Sequence, residues 1–162
     1  MRPSLERFVD TLGSDANVVA RPDMPVATIA VDRLLDVVAK LKRSLAFDLL
    51  LDVTAVDWLP AQPRFEVVWH FYSTAHFGRV RVKARVDGDE PVVDSLVPLY
   101  ASANFMEREC RDMYGIRFRG HPDPRPILLY EGFVGHPLRK DYPKDREQPL
   151  VPYRQGVDAP SR

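Results

Sequence analysis

Hydrophobic positions recur along this chain with two different periods. Near the N-terminus Leu5, Phe8, Val9 and Leu12 fall at helical spacing, and Gly13 follows. The pattern predicts a short amphipathic helix that stops at the glycine. Residues 26–31 (VATIAV) form a brief β-type run. Asp32 then stands where an N-cap belongs, ahead of a second helix with Leu34, Leu35, Val38, Leu41 and Leu45 as its apolar stripe. Lys40, Lys42 and Arg43 gather near its end, where the helix dipole favours cations. From there the period changes to two. Residues 48–59 begin apolar on both faces, as a central strand would. Residues 64–74 place Phe65, Val67, Trp69 and Phe71 on one side. Residues 78–88 alternate most cleanly, with Val80, Val82, Ala84 and Val86 against Arg79, Arg81, Lys83 and Arg85. Pro60, Pro63 and Gly78 punctuate the runs, and the short links favour antiparallel pairing. Helix, strand, helix and strand meander predict an α+β two-layer sandwich, a mostly antiparallel sheet with helices on one face. Residues 92–100 (VVDSLVPLY) read as an irregular or helical link.

A third helix is predicted over residues 105–114, closed by Gly115. Asn104 followed by Glu107 gives a capping-box-like start. Met106, Cys110 and Met113 mark its buried stripe. Five of the six residues from Glu107 to Asp112 are charged, and the spacing pairs Glu107 with Arg111 and Arg108 with Asp112. Exposed pairs of this kind contribute only about 0.3–0.5 kcal/mol each. A solvated face is the plain reading of the cluster. The sharper one is desolvation of some charges against another protein, where a lost partner is costly.

Past Gly115 the composition shifts. Between His121 and Arg154 there are seven prolines, interspersed with Ile127, Leu128, Leu129, Tyr130, Phe133, Tyr142 and Tyr153. Alternating Pro122, Pro124 and Pro126 enforce an extended, donor-poor backbone. A disordered linker would be polar. An apolar extended segment needs a surface to lie upon, and a neighbouring protein is the stronger reading, because a pre-extended arm loses little entropy on docking. Arg139, Lys140 and Arg146 offer donors for acidic groups. The expected division is a core domain over residues 1–115 and an extended C-terminal arm over 116–162.

Composition excludes more than it selects. The chain has 162 residues, with 23 Lys and Arg against 23 Asp and Glu. A net charge of zero argues against a nucleic-acid binder. Cys110 is the only cysteine, so the chain alone can make neither a disulfide nor a cysteine-based zinc or iron–sulfur site. The N-terminal segment lacks the apolar stretch of a signal peptide, and no run approaches the roughly 18 apolar residues of a membrane helix. GHP occurs twice, at residues 120–122 and 135–137. His121 and His136 could ligate a metal, but a structural hydrogen bond is the commoner role of such isolated histidines. No phosphate-binding glycine loop and no hydrolase or metalloprotease motif appears.

The segment EREcrDMYgirfrgHpdpRpIL resembles the signature of the 30 kDa subunit family of respiratory complex I, the C-type subunit of NADH:quinone oxidoreductase. Glu107, Arg108, Glu109, Asp112, Met113, Tyr114, His121, Arg125, Ile127 and Leu128 carry it. GHPLRKDYP (residues 135–143) resembles the family's second block, and LLDVTAVDW and RFEVVWHFYS its strands. The resemblance implies a structural subunit of the hydrophilic arm of a proton-translocating enzyme, peripheral on the cytoplasmic side of the bacterial inner membrane. It implies no catalytic, cofactor-binding or metal residue in this chain, with FMN and the iron–sulfur clusters held by partner subunits. It implies contacts with the 49 kDa-type (D) subunit and with the neighbouring iron–sulfur subunits B and I, and membrane association only through the complex. The expected interface residues are Glu107, Arg108, Glu109, Asp112, His121, Arg125, His136, Arg139, Lys140 and Tyr142. Three alternatives stay open: the equivalent subunit of a membrane-bound hydrogenase or formate hydrogenlyase, a stand-alone small soluble enzyme using Cys110 or His121, and a plain binding module unrelated to respiration.

Overall fold

The computed structural model describes residues 5–145 and 148, with the side chain of Leu5 outside the description. Arg146, Tyr153 and Arg154 lie outside the described residues.

Helix α1 (Leu5–Leu12) ends at Gly13, as the pattern predicts, and buries Phe8 and Leu12 while Val9 faces out. Strands β1 (Ala16–Val19) and β2 (Val26–Ile29) follow, then helix α2 (Leu34–Ser44). β1 escaped the sequence pattern because four residues on a sheet edge give too short an alternation. Asp32 is not the cap of α2. Residues Val31–Arg33 form a 3₁₀ turn, Arg33 takes the cap position, and no side chain bonds there. The α2 stripe is Leu34, Val37, Val38 and Leu41, with Leu35 exposed.

Strands β3 (Leu49–Asp57), β4 (Phe65–Ser73) and β5 (Gly78–Val86) form the predicted meander. Neighbours run β1-β2-β5-β4-β3, antiparallel except for the parallel β2–β5 pair. β3 is thus an edge strand, not the central one its leucines suggested. A bulge between Leu50 and Asp52 lets Leu50 and Val53 both face the core. Leu49 and Leu51 are left 44% and 42% exposed. Phe65, Val67, Trp69 and Phe71 are fully buried with Val80, Val82 and the helix stripes in one continuous core. The other sheet face carries a polar ladder that includes Lys83 to Glu66 at 3.0 Å and Arg81 to His70 at 2.8 Å.

The link at residues 92–100 contains a further strand, β6 (Val92–Asp94). Helix α3 (Ala103–Tyr114) packs along edge strand β3. Beyond it, β7 (Arg117–Arg119) pairs in parallel with β6, and Ile116 and Phe118 enter the core. The packed core therefore continues through β7, and a stretch of bends and turns without helix or strand starts at Gly120.

Candidate functional site: helix α3 and the arm laid across it

Helix α3 does not begin as a capping box. Ser102 holds the cap position in helical geometry, and its hydroxyl donates to the Leu50 carbonyl at 3.2 Å. Glu107 instead reaches across to the end of β6. Its carboxylate accepts from the Ser95 hydroxyl at 2.6 Å and from the Leu96 N–H at 2.7 Å. The residue is 0% exposed. Burial pushes its carboxyl up to about 7, against the opposing pull of the two hydrogen bonds. The predicted stripe is displaced for the same reason: α3 buries Ala103, Glu107, Cys110 and Asp112, with Met106 and Met113 half-buried. The sequence could not show that two carboxylates would turn inward.

Neither predicted i,i+4 pair forms. Asp112 is taken by the arm: its Oδ2 accepts the N–H groups of Ile127, Leu128 and Leu129 at 2.8, 2.8 and 3.2 Å. Arg108 donates to the carbonyls of Arg125 and Pro126 at 2.8 and 3.0 Å, and its nearest carboxylate is Asp123 at 3.8 Å. Arg111 donates to the Pro124 carbonyl. A proline-rich chain has many carbonyls and few donors. Arginines therefore serve its carbonyls, and one aspartate collects three successive N–H groups.

The two GHP segments anchor the arm at opposite ends of α3. His121 accepts the Asp123 N–H on Nδ1 at 3.0 Å, which leaves Nε2 to donate to the Asn104 carbonyl at 3.0 Å. His136 donates from Nδ1 to the Asp112 carbonyl at 2.9 Å. The second segment also completes the helix C-terminus. An α-helix leaves its last four carbonyls without helical partners. Here the Arg111 carbonyl takes the Gly115 N–H at 2.8 Å, and Asp112 takes His136. The Met113 carbonyl takes the Leu138 N–H at 3.1 Å, and Tyr114 takes Arg139 Nε at 2.6 Å. Gly115 has φ +75°, and a Cβ there would come within 2.4 Å of Arg139 and 2.5 Å of His136. Both the left-handed backbone and the close clamp require glycine.

A further node holds the end of the described arm. Asp57 accepts Arg64 at 2.7 Å, the Lys140 N–H at 2.9 Å and the Leu59 N–H at 3.0 Å. Arg64 also donates to Asp141 at 2.8 Å. The Arg64 guanidinium holds the Asp57 carboxyl well below the usual range. The sequence reading missed this node, because its arm members Lys140 and Asp141 lie 83 and 77 residues from Asp57 and Arg64, and no spacing signals them.

Of the ten expected interface residues, Glu107 and Asp112 are buried within the chain, and His121, with its side chain 3% exposed, nearly so. Arg108, His136, Arg139 and Tyr142 are half-buried, and Glu109, Arg125 and Lys140 are exposed. Arg125 pairs with Asp123 at 2.7 Å. Four of the arm's aliphatic side chains, Ile127, Leu128, Val134 and Leu138, are exposed, while Leu129 is half-buried. Phe105 on α3 is 62% exposed and lies outside the expected set.

The geometry offers little to covalent chemistry. Cys110 is buried, and that burial pushes its thiol far above its ordinary range, away from the thiolate a nucleophile needs. Among the described residues no group of three His, Cys, Asp or Glu is placed to hold a metal ion, and no helix is long and apolar enough to cross a membrane.

Residues 27–148 match the model of the respiratory-chain NADH dehydrogenase 30 kDa subunit family. The chain belongs to that family. Among curated relatives, a C-type subunit of NADH-quinone oxidoreductase from Rhizobium etli, the second of its kind there, is 42% identical over 154 residues, covering 91% of this chain and 80% of that one. The C-type subunit of the same enzyme from Moorella thermoacetica is 42% identical over 128 residues, 79% of this chain and 86% of that one. A trypsin-resistant fragment of Nqo5 superposes with a TM-score of 0.66 at 28% identity, covering 74% of this chain and 98% of that one. A chain of an archaeal membrane-bound sulfane sulfur reductase superposes with a TM-score of 0.70 at 21% identity, over 95% of this chain and 96% of that one, a likeness of fold alone. Helix α3 and the described part of its arm fall inside the matched span.

Proposed function

We propose that the chain works as a non-catalytic structural subunit of the peripheral arm of proton-translocating NADH:quinone oxidoreductase. That it is a complex I subunit follows from its family; that it has no active site of its own, and what it touches, is our reading. The chain carries shape. FMN and the iron–sulfur clusters that pass electrons from NADH to quinone belong to its companions. Its neighbours are the 49 kDa-type subunit and the iron–sulfur subunits B and I, and it reaches the cytoplasmic face of the bacterial inner membrane only through them.

One observation carries this reading: the arm ties backbone polar groups to α3 while Ile127, Leu128, Val134 and Leu138 are turned to solvent. The Ile127 and Leu128 N–H groups are fixed on Asp112 while both side chains are exposed. An extended strip of apolar side chains held rigid by a buried carboxylate is pre-organised for docking. A hydrogenase-type assembly would use the same strip, and the genes beside this one would separate the two.

The test is a tagged chain recovered from detergent-solubilised membranes, its companions identified by mass spectrometry. The 49 kDa-type subunit and both iron–sulfur neighbours are expected to co-purify with the wild type and to be lost from Leu128→Asp, with the thermal unfolding of the isolated chain unchanged. Recovery alone, or a bound chromophore or substrate turnover by the isolated chain, would refute the reading.

A further inference from the structure

A cavity of about 320 Å³ opens between α3, the β6–β7 pair and the start of the arm. Arg108, Arg111, Arg117, Arg119 and His121 line it. The only carboxylate in its lining is Glu107, and both of its oxygens are already engaged by Ser95 and Leu96.

The four guanidiniums are unequally compensated. Arg117 meets Glu90 at 2.9 Å and Arg119 meets Asp94 at 2.6 Å, both at the exposed rim. Arg108 is held by two arm carbonyls and by Asp123, which it shares with Arg125. Arg111 differs. It is half-buried, it donates to a single neutral carbonyl, that of Pro124, and no carboxylate of the described residues lies within ion-pair distance. A partly desolvated guanidinium without an anion has lost hydration and gained no charge partner. Its planar fork suits a carboxylate taken bidentately. Val92, Phe118 and Pro124 supply apolar wall beside it, suited to a methylene stem. The volume sits at the bottom of the roughly 300–1,000 Å³ spanned by small-molecule sites, which is room for a side chain more than for a cofactor.

We propose that this cavity receives a glutamate or aspartate side chain from a neighbouring subunit, with Arg111 as its principal partner. The inference rests on the chain being a subunit of the complex, and it names the chemistry by which one neighbour is recognised.

The test uses the complex purified from membranes. In R111K the introduced amine can be coupled by carbodiimide to a carboxylate in contact with it. A cross-link from position 111 to an Asp or Glu of another subunit is the expected result. Coupling only to this chain's own carboxylates, or none, would overturn the proposal. R111A is expected to lower the fraction of subunit retained through a raised-salt wash by about tenfold, as loss of one partner of a desolvated charge pair does. Retention equal to wild type would also overturn it. Inorganic phosphate is then added to the isolated full chain. A thermal shift in the wild type that is lost in R111A would make the cavity a free-anion site and sink the partner assignment; no shift is expected. Failure of the wild-type chain to co-purify with any subunit would instead strike the underlying reading.

Discussion

Trp69 and Asp112 are both buried, one in β4 and the other in α3, and they hold the chain together in different ways. Trp69 sits among Phe65, Phe71 and the valines of β5, and its indole N–H finds no hydrogen-bond partner among the described residues. Its hold is area removed from water. Asp112 is surrounded by donors, and its hold is directional, three N–H groups of the arm on one oxygen. The sheet tolerates imperfect polar pairing because apolar burial is non-directional. The clamp has no such margin, since a proline-rich segment with outward aliphatic side chains buries little of its own. The two regions should therefore fail separately: loss of the core unfolds everything, and loss of the clamp frees the arm from an intact core.

The largest break is Phe71→Ala. Phe71 is fully buried against Tyr100, with ring centroids 5.4 Å apart. Removal should cost about 3–5 kcal/mol of global stability, read by denaturant unfolding, with arm and core lost together.

Asp112→Ala comes next. Leaving the three arm donors without their carboxylate should cost about 3 kcal/mol. The loss is expected as early tryptic cleavage after Arg139 and Lys140, while the far-UV signature of the sheet persists. Simultaneous loss of both signals would merge the two regions into one cooperative unit.

Glu107→Gln works in the opposite direction and depends on pH. The carboxyl's value is raised from 4.5 to about 7 in the fold. Below about pH 4.5 both states are protonated and nothing is lost. Between there and about 7 the unfolded chain releases a proton that the folded chain keeps, so stability falls as pH rises. Above 7 the penalty is complete, about 3 kcal/mol at 1.36 kcal/mol per unit. Glutamine can keep the Leu96 and Ser95 bonds without the charge. E107Q should match wild type at pH 4.5 and exceed it by up to that amount at pH 8. Parallel stability curves across this range would remove the buried charge from the account.

The smallest effect belongs to the polar sheet face. Lys83→Ala breaks a partly buried pair with Glu66, which keeps Arg85 at 4.0 Å, and a change of about 1 kcal/mol or less is expected in the same unfolding measurement. A cost near that of D112A would make this pair a directional anchor of the fold on a par with the clamp.

The order of elements in the core was legible in the sequence because its signal is local. Alternation in residues 78–88 and the period of α2 are read within a window of a dozen residues, and strands and helices appeared there. Legibility ended where neighbours compete. Three leucines in succession suggested a central strand, yet β3 is an edge, because order across a sheet is set by which strands find one another. Asn104 and Asp32 looked like caps, and neither side chain bonds there. Glu107 and Asp112 looked like partners for arginines one turn away. Each is claimed by backbone donors 11 to 17 residues distant.

From the amino-acid order alone come the α+β architecture, the chain's kinship with the 30 kDa family of complex I, and the helix stop at Gly115 ahead of the proline-rich arm. Periodicity, proline geometry and a long spaced signature are all properties of consecutive residues. Tertiary structure alone decided which charges sink beneath the arm, which stay at the surface, and that the arm first docks on its own helix. A carboxylate's partner is chosen by distance in space and by the cost of leaving a donor dry, and neither quantity is written in the spacing of the chain.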